Sequence, residues 1–198
     1  MLWLTLPAVV FEYVGQHNLE GVLSNSEGSL AEERRTRYAW QIASALQFCH
    51  QSRVLHLDVK ASNVFMTDSD QCKLGDFGCS IRLPSSKAAV SLSSQRRGMG
   101  TVSYHAPEIL RGRQVSAKAD VYSYGLLLWH LATGQAPFSG MNQHTVVFCV
   151  VSKGLRPSLD LDETVATKWS KLMQQCWHTD PDQRPDFERI VQRLTCDL

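Results

Sequence analysis

Apolar residues recur along this chain mostly at the three-to-four spacing of helices, and only in short runs at the spacing of strands. Tyr38, Ile42, Ala45, Leu46 and Cys49 share one helical face, which predicts a long amphipathic helix ending near His50. Ser29 stands where its N-cap would fall, and Glu32 and Glu33 lie in its first turn, where carboxylates complement the helix dipole. Ala119 to Thr133 is apolar on nearly every face (Val121, Tyr122, Leu126, Leu127, Leu128, Trp129, Leu131), and Gly134 closes it. That pattern predicts a helix buried at the centre of the fold, with Asp120 as a lone carboxylate that needs partners. Further helices are expected over 143–151, 163–177 and 187–194, with a turn at Pro137-Phe138 and a loop over 180–185. Strand patterns are fewer. Leu6 to Val14 is β-branched and aromatic and ends at Gly15, which by itself predicts an ordinary core strand. Val64-Phe65-Met66 and Cys72-Lys73-Leu74 flank the turn signal Thr67-Asp68-Ser69-Asp70, the signature of a hairpin. From Asp76 to Glu108 no hydrophobic period survives and serines accumulate, so a surface loop is expected. The class is α+β, mainly α.

Composition narrows the functional range. A chain of 198 residues with 43% hydrophobic content can bury one core. Twenty basic and nineteen acidic residues give a net charge of +1, which speaks against broad attraction to nucleic acid or membrane. Met1 to Phe11 is apolar but short, lacks a basic leading segment and runs into Glu12, unlike a signal peptide or a membrane span. The six cysteines form no C-x-x-C pair, a scatter that suits reduced thiols and a cytoplasmic location. Cys79 reads as a simple buried thiol.

The candidate chemistry sits between His56 and Asp76. Pairing the two strands as a hairpin brings the end of one turn beside the start of the next, so Asn63 and Asp76 face one space. An amide oxygen and a carboxylate suit Mg²⁺, which takes few protein ligands beside phosphate oxygens. Asp58 and Lys60 alternate along an extended segment and can point into the same space. A carboxylate that accepts a hydroxyl proton and a lysine that neutralises phosphate charge are what phosphoryl transfer requires. Taken singly, each has a blander reading: His56 as a packed histidine, Asp58 as a turn carboxylate, Lys60 as a surface lysine, Asn63 as a cap.

Together they resemble a known family. His56-x-Asp58-x-Lys60-x-x-Asn63, then Asp76-Phe77-Gly78, then Ala106-Pro107-Glu108 resemble the catalytic loop, metal loop and activation-segment end of protein kinases, in order and spacing. The resemblance runs from about Val9 to Leu194. It implies a kinase-like C-terminal lobe over about 16–196, entered by one hinge strand over about 6–15, with a short β-hairpin at the catalytic cleft. Asp58 would orient the substrate hydroxyl as base, Lys60 would contact the γ-phosphate of ATP, and Asn63 and Asp76 would hold Mg²⁺. Thr101 would hydrogen-bond Asp58 and Lys60. Phe11 would be the gatekeeper, the backbone of Glu12 and Val14 would hold adenine, Phe65 would floor its pocket, and Leu19 to Leu23 would form a short helix after the hinge. His56 would brace the metal loop, Asp120 the backbone of the His56-Leu57 turn, and Arg184 would pair with Glu108. Lys60 and Thr101 indicate serine/threonine transfer and outweigh Cys176-Trp177 and Arg184-Pro185, wording also common in tyrosine kinases. A protein substrate, specifically a MAP-kinase kinase, and a monomeric state are further implications.

Some positions depart from the family or stay outside the chemistry. Most kinases carry Arg before the catalytic Asp, where it pairs with a phosphorylated activation loop; Leu57 cannot make such charge-assisted bonds. Activity independent of phosphorylation through that contact is expected. Gly98-Met99-Gly100 is only a partial G-x-G and belongs with the substrate-docking segment that follows. Arg34, Arg35 and Arg37 read as the solvated face of the long helix. No G-x-G-x-x-G loop or strand lysine precedes Val9. The resemblance therefore implies roughly a hundred further residues of N-terminal lobe in the native protein, and near-inactivity of this stretch alone. A short, non-catalytic lobe that acts as a protein-binding scaffold is the alternative.

Overall fold

A computed structural model describes residues 10–25, 30–93, 99–159 and 163–196, with the backbone alone over 163–168. It is mainly helical. Seven α-helices, α1 (Leu19–Asn25), α2 (Glu32–Gln51), α3 (Pro107–Leu110), α4 (Lys118–Thr133), α5 (Gln143–Lys153), α6 (Glu163–Cys176) and α7 (Phe187–Thr195), make up nearly half of the described residues. Seven strands of two or three residues, β1 (His17–Asn18), β2 (Val54–Leu55), β3 (Val64–Met66), β4 (Cys72–Leu74), β5 (Ile81–Arg82), β6 (Ala89–Ser91) and β7 (Gln114–Ser116), pair antiparallel in three small sheets. None of the described helices is long and apolar enough to cross a membrane.

α4 is the axis of the fold. Every residue from Ala119 to Ala132 is buried, as its all-round apolar pattern requires. α6 packs along it, and at their closest approach a Cβ on Gly125 would stand 2.8 Å from the Cys176 Cβ, so only glycine allows that approach. α2 and α7 pack together on another side. Tyr38, Ile42 and Leu46 of α2 join Leu126 and Leu127 of α4 and Phe187, Ile190 and Leu194 of α7 in one core. Burying each such side chain contributes about 1.5–3 kcal/mol. The Tyr124 hydroxyl donates to the Ala39 carbonyl at 2.9 Å, and the Tyr124 and Phe187 rings meet edge-on at 5.3 Å, which locks α4 to both neighbours. Gly134 (φ 70°) ends α4 and Gly154 (φ 65°) ends α5, both left-handed caps.

The β3–β4 hairpin forms in the expected register, Val64 opposite Leu74 and Met66 opposite Cys72, with Asp70 left-handed (φ 60°) in its turn. Three expectations need correction. Residues 10–14 form no strand, and Val10 and Phe11 are 92% and 80% exposed; the first strand among the described residues is His17–Asn18, paired with β3. Strand propensity is realised only beside a partner backbone, and 10–14 meets none among the described residues; 6–9 lie outside them. α2 starts at Glu32 with Ala31 as its N-cap and no side-chain cap, while Ser29 lies outside the described residues. The arginines of α2 are not a solvated face. Arg35 is buried and donates to the Ala132 carbonyl at the end of α4, and Arg34, Arg37 and the Tyr38 hydroxyl all converge on Asp70. The hairpin tip is thereby tied to α2, and Arg34 and Tyr38 hold the Asp70 carboxyl below the usual carboxylate range against a smaller upward push from burial.

Candidate active site

Between β2 and β3 the chain makes a tight turn whose backbone is held from below. Leu57 sits at φ 63°, a left-handed conformation that costs a side-chain-bearing residue about 1–2 kcal/mol. Asp120, fully buried in the first turn of α4, offsets that cost by accepting the His56 N–H at 2.9 Å and the Leu57 N–H at 2.8 Å. Its third partner is the His50 ring, with Nε2 at 2.8 Å, at the last turn of α2. Three bonds satisfy a carboxylate that burial would otherwise make costly. The His56 ring reaches the other way: Nε2 lies 3.0 Å from the Gly75 carbonyl and the ring packs on Phe77 at 4.9 Å.

Above this base lies a compact polar cluster. Lys60 is extended (φ −160°, ψ 165°), so Asp58 and Lys60, two residues apart, emerge on one side. Lys60 Nζ stands 2.9 Å from Asp58 Oδ2 and donates to Thr101 Oγ1 at 2.7 Å. The Thr101 N–H donates to Asp58 Oδ1 at 3.0 Å. The Asn63 amide donates to the Asp58 carbonyl and to Oδ2, both at 2.9 Å. Burial alone would push the Asp58 carboxyl up; Lys60 first, then Asn63 and the Thr101 N–H, outweigh it and hold the group below the usual carboxylate range. Asp58 therefore stays an anion. Oδ2 is committed to Lys60 and Asn63, whereas Oδ1 accepts one backbone N–H and keeps capacity for another donor.

Asn63 and Asp76 lie just beyond the same end of the β3–β4 ladder, and the Gly75 N–H bonds the Asn63 carbonyl at 2.9 Å. Asp76 is exposed and left-handed (φ 55°), and its Oδ1 accepts the Gly78 N–H at 3.2 Å. With the Asn63 NH₂ turned to Asp58, the amide oxygen and the Asp76 carboxylate are the available donors, hard oxygens of the kind Mg²⁺ takes. Among the described residues no cluster of three His, Cys, Asp or Glu could hold a metal without such help. Phe65, half-buried on β3, fills the space over Gly75, where a Cβ would meet its ring at 2.7 Å. Glu108 and Arg184 form a two-pronged buried pair, Oε1–Nη1 at 2.7 Å and Oε2–Nη2 at 2.9 Å, fixing the start of α3 to the loop before α7. Of the hinge candidates, Phe11 is exposed, Glu12 pairs with Lys73 on β4, and Val14 is half-buried.

The sequence matches the family described as protein tyrosine and serine/threonine kinase over residues 5–194. The chain belongs to the protein kinases. Among curated proteins, this kinase chain is 41% identical over 188 residues to a serine/threonine-protein kinase mos of Patiria pectinifera, covering 94% of the chain and 53% of that protein. It is 35% identical over 193 residues to the serine/threonine-protein kinase mos of Xenopus laevis, covering 94% and 54%. A serine/threonine/tyrosine-protein kinase of Arabidopsis thaliana is 34% identical over 184 residues, covering 92% and 45%. The chain thus spans about half the length of the curated relatives it matches.

Three further residues of the candidate site lie outside the catalytic-loop and metal-loop motifs. His50 completes the shell of Asp120 from a helix that otherwise reads as scaffold. Gly100, at φ 89°, lies so close to the cluster that a Cβ would stand 2.8 Å from His105 Nε2 and 3.2 Å from Asp58 Oδ1. The glycine preceding Thr101 was its one sequence signal. His105 is buried beside both, and nothing in its sequence context distinguishes it.

Proposed function

We propose that this chain is the substrate-binding, base-bearing lobe of a serine/threonine kinase that transfers the ATP γ-phosphate to a protein hydroxyl. The observation that carries the proposal is the Asp58–Lys60–Asn63–Thr101 cluster. It presents one carboxylate oxygen with acceptor capacity beside a lysine ammonium, within hydrogen-bond reach of each other. Asp58 Oδ1 would accept the proton of the incoming hydroxyl, and Lys60 would neutralise charge on the transferring phosphoryl group. Asn63 and Asp76 would hold Mg²⁺, which neutralises phosphate charge when bound. Thr101 bridges base and lysine, which favours serine/threonine over tyrosine substrates. His56, Asp120 and the Glu108–Arg184 pair keep these groups in register. Phe65 would lie under the adenine, with the backbone of Glu12 and Val14 as its hydrogen-bonding edge and Phe11 as gatekeeper.

Likeness to kinases named mos supports a finer reading: a cytoplasmic, monomeric kinase that phosphorylates a MAP-kinase kinase during oocyte meiotic maturation. The 198 residues contain no G-x-G-x-x-G motif. Positioning dominates phosphoryl transfer, so by themselves they would turn over slowly. A second reading is a non-catalytic lobe that acts as a protein-binding scaffold. Asp58→Asn in the native protein tests the choice. It should abolish transfer to a serine peptide while leaving nucleotide affinity nearly unchanged; equal activity in wild type and variant would refute the role of Asp58.

A further inference from the structure

His105 is a buried imidazole, 4% exposed, that the chemistry above leaves unused. Its ring lies beside the Met99 backbone, and Nδ1, itself buried, has no hydrogen-bond partner. Gly100 lies close to both His105 and Asp58: a Cβ there would stand 2.8 Å from His105 Nε2 and 3.2 Å from Asp58 Oδ1. The next residue, Thr101, places its N–H on Asp58 and its hydroxyl on Lys60. Leu57, Cys79, Leu92, Met99 and Ile109 join His105 around a cavity of about 10 Å³, no more than one water could fill. Burial, the largest influence, disfavours the imidazolium and outweighs the attraction of Asp58, so the ring is neutral with a single N–H to donate.

We infer that His105 is a positioning residue for phosphoryl transfer: it clasps Met99 and seats Gly100, and so holds the Thr101 N–H and hydroxyl on the catalytic Asp58 and Lys60. The clasp stands where Leu57 removes the option of an arginine–phosphate contact. It ties the docking segment to the base without any added charge. Glycine at 100 follows from the same geometry, since any side chain would push the segment off both polar atoms. The kinetic consequence rests on the kinase reading; the structural one does not.

The test combines exchange and kinetics on the purified protein. In His105→Ala, amide exchange at Thr101 should rise about tenfold, as for loss of one local closing contact. The kcat for a serine peptide should fall about tenfold, with little change in KM for ATP. His105→Gln, which keeps a side-chain N–H donor, should recover most of both. Thr101 exchange equal to wild type in His105→Ala, or no recovery in His105→Gln, would overturn the inference. Should His105→Ala fail to fold, Gly100→Ala at an exposed position replaces it and should show the same two losses; normal Thr101 exchange there refutes the clasp. Imidazole nitrogen resonances of the wild type give a further check: at pH 7 the ring should be the neutral Nε2–H tautomer, and an Nδ1–H tautomer or imidazolium would contradict the geometry. If wild type transfers no phosphate to any serine peptide, the kinase reading fails, and Thr101 exchange still decides the clasp.

Discussion

Replacing Asp120 with Ala probes the foundation of the site without touching the reacting groups. Asp120 is fully buried and accepts the His56 and Leu57 N–H groups and the His50 ring. Removing the carboxylate leaves two buried backbone donors unpaired, at about 1–3 kcal/mol each. It also releases the restraint on Leu57, whose left-handed backbone (φ 63°) then relaxes and returns about 1–2 kcal/mol. Taken at mid-range, the two terms leave a loss of about 2.5 kcal/mol of stability. Asp120→Asn should fall between: its oxygen can take one N–H, but its NH₂ then faces the other donor. Urea unfolding followed by circular dichroism measures both. A loss below about 0.5 kcal/mol for Asp120→Ala, the size of an ordinary surface substitution, would refute the account of how this turn is held.

Burial holds the pKa of the His130 imidazole down to about 4. The unfolded chain binds that proton near pH 6.5 and the folded chain does not, so stability present above pH 6.5 should be lost as pH falls toward 4, by roughly 3 kcal/mol in all. The urea midpoint should drop between pH 7 and pH 4.5, and His130→Gln should flatten that dependence; an unchanged slope would dissociate it from His130. Replacing Ser85, Ser86, Ser91 or Ser93 singly with Ala should leave peptide phosphorylation within about threefold of wild type, because Leu57 offers no charge for a phosphate to engage. Complete loss from any one of these alanines would show that a phosphoserine contact is required.

Local chemistry made the hairpin and its flanking turns legible: Asp and Ser mark the turn between two apolar triplets, and a period of two fixes which ends meet. Asp58, Lys60, Asn63 and Asp76 were readable as candidates because phosphoryl transfer demands such groups at close spacing, and the fold gathers Asp58, Lys60 and Asn63 into one cluster. Asp120 stood out as a carboxylate in an otherwise apolar helix. Long-range partners were not legible. Arg34 and Arg37 look solvated until the hairpin tip brings Asp70 to them, 36 and 33 residues away in the chain. Arg35 is the one arginine of the three that turns inward, to a carbonyl of α4 97 residues on. The strand pattern before Gly15 failed for a related reason: propensity states what a segment could pair with, and a ladder needs the second strand. His50 and His105 were missed because a histidine earns its place through neighbours that only folding assembles.

The central claim is that Asp58 serves a serine/threonine phosphotransferase. Phosphoamino-acid analysis of a mixed peptide library incubated with Mg²⁺, labelled ATP and the native protein tests it most directly, with Asp58→Asn in parallel. The account predicts phosphoserine and phosphothreonine from wild type and neither from the variant. Phosphotyrosine as the main product, or equal labelling by Asp58→Asn, would contradict it.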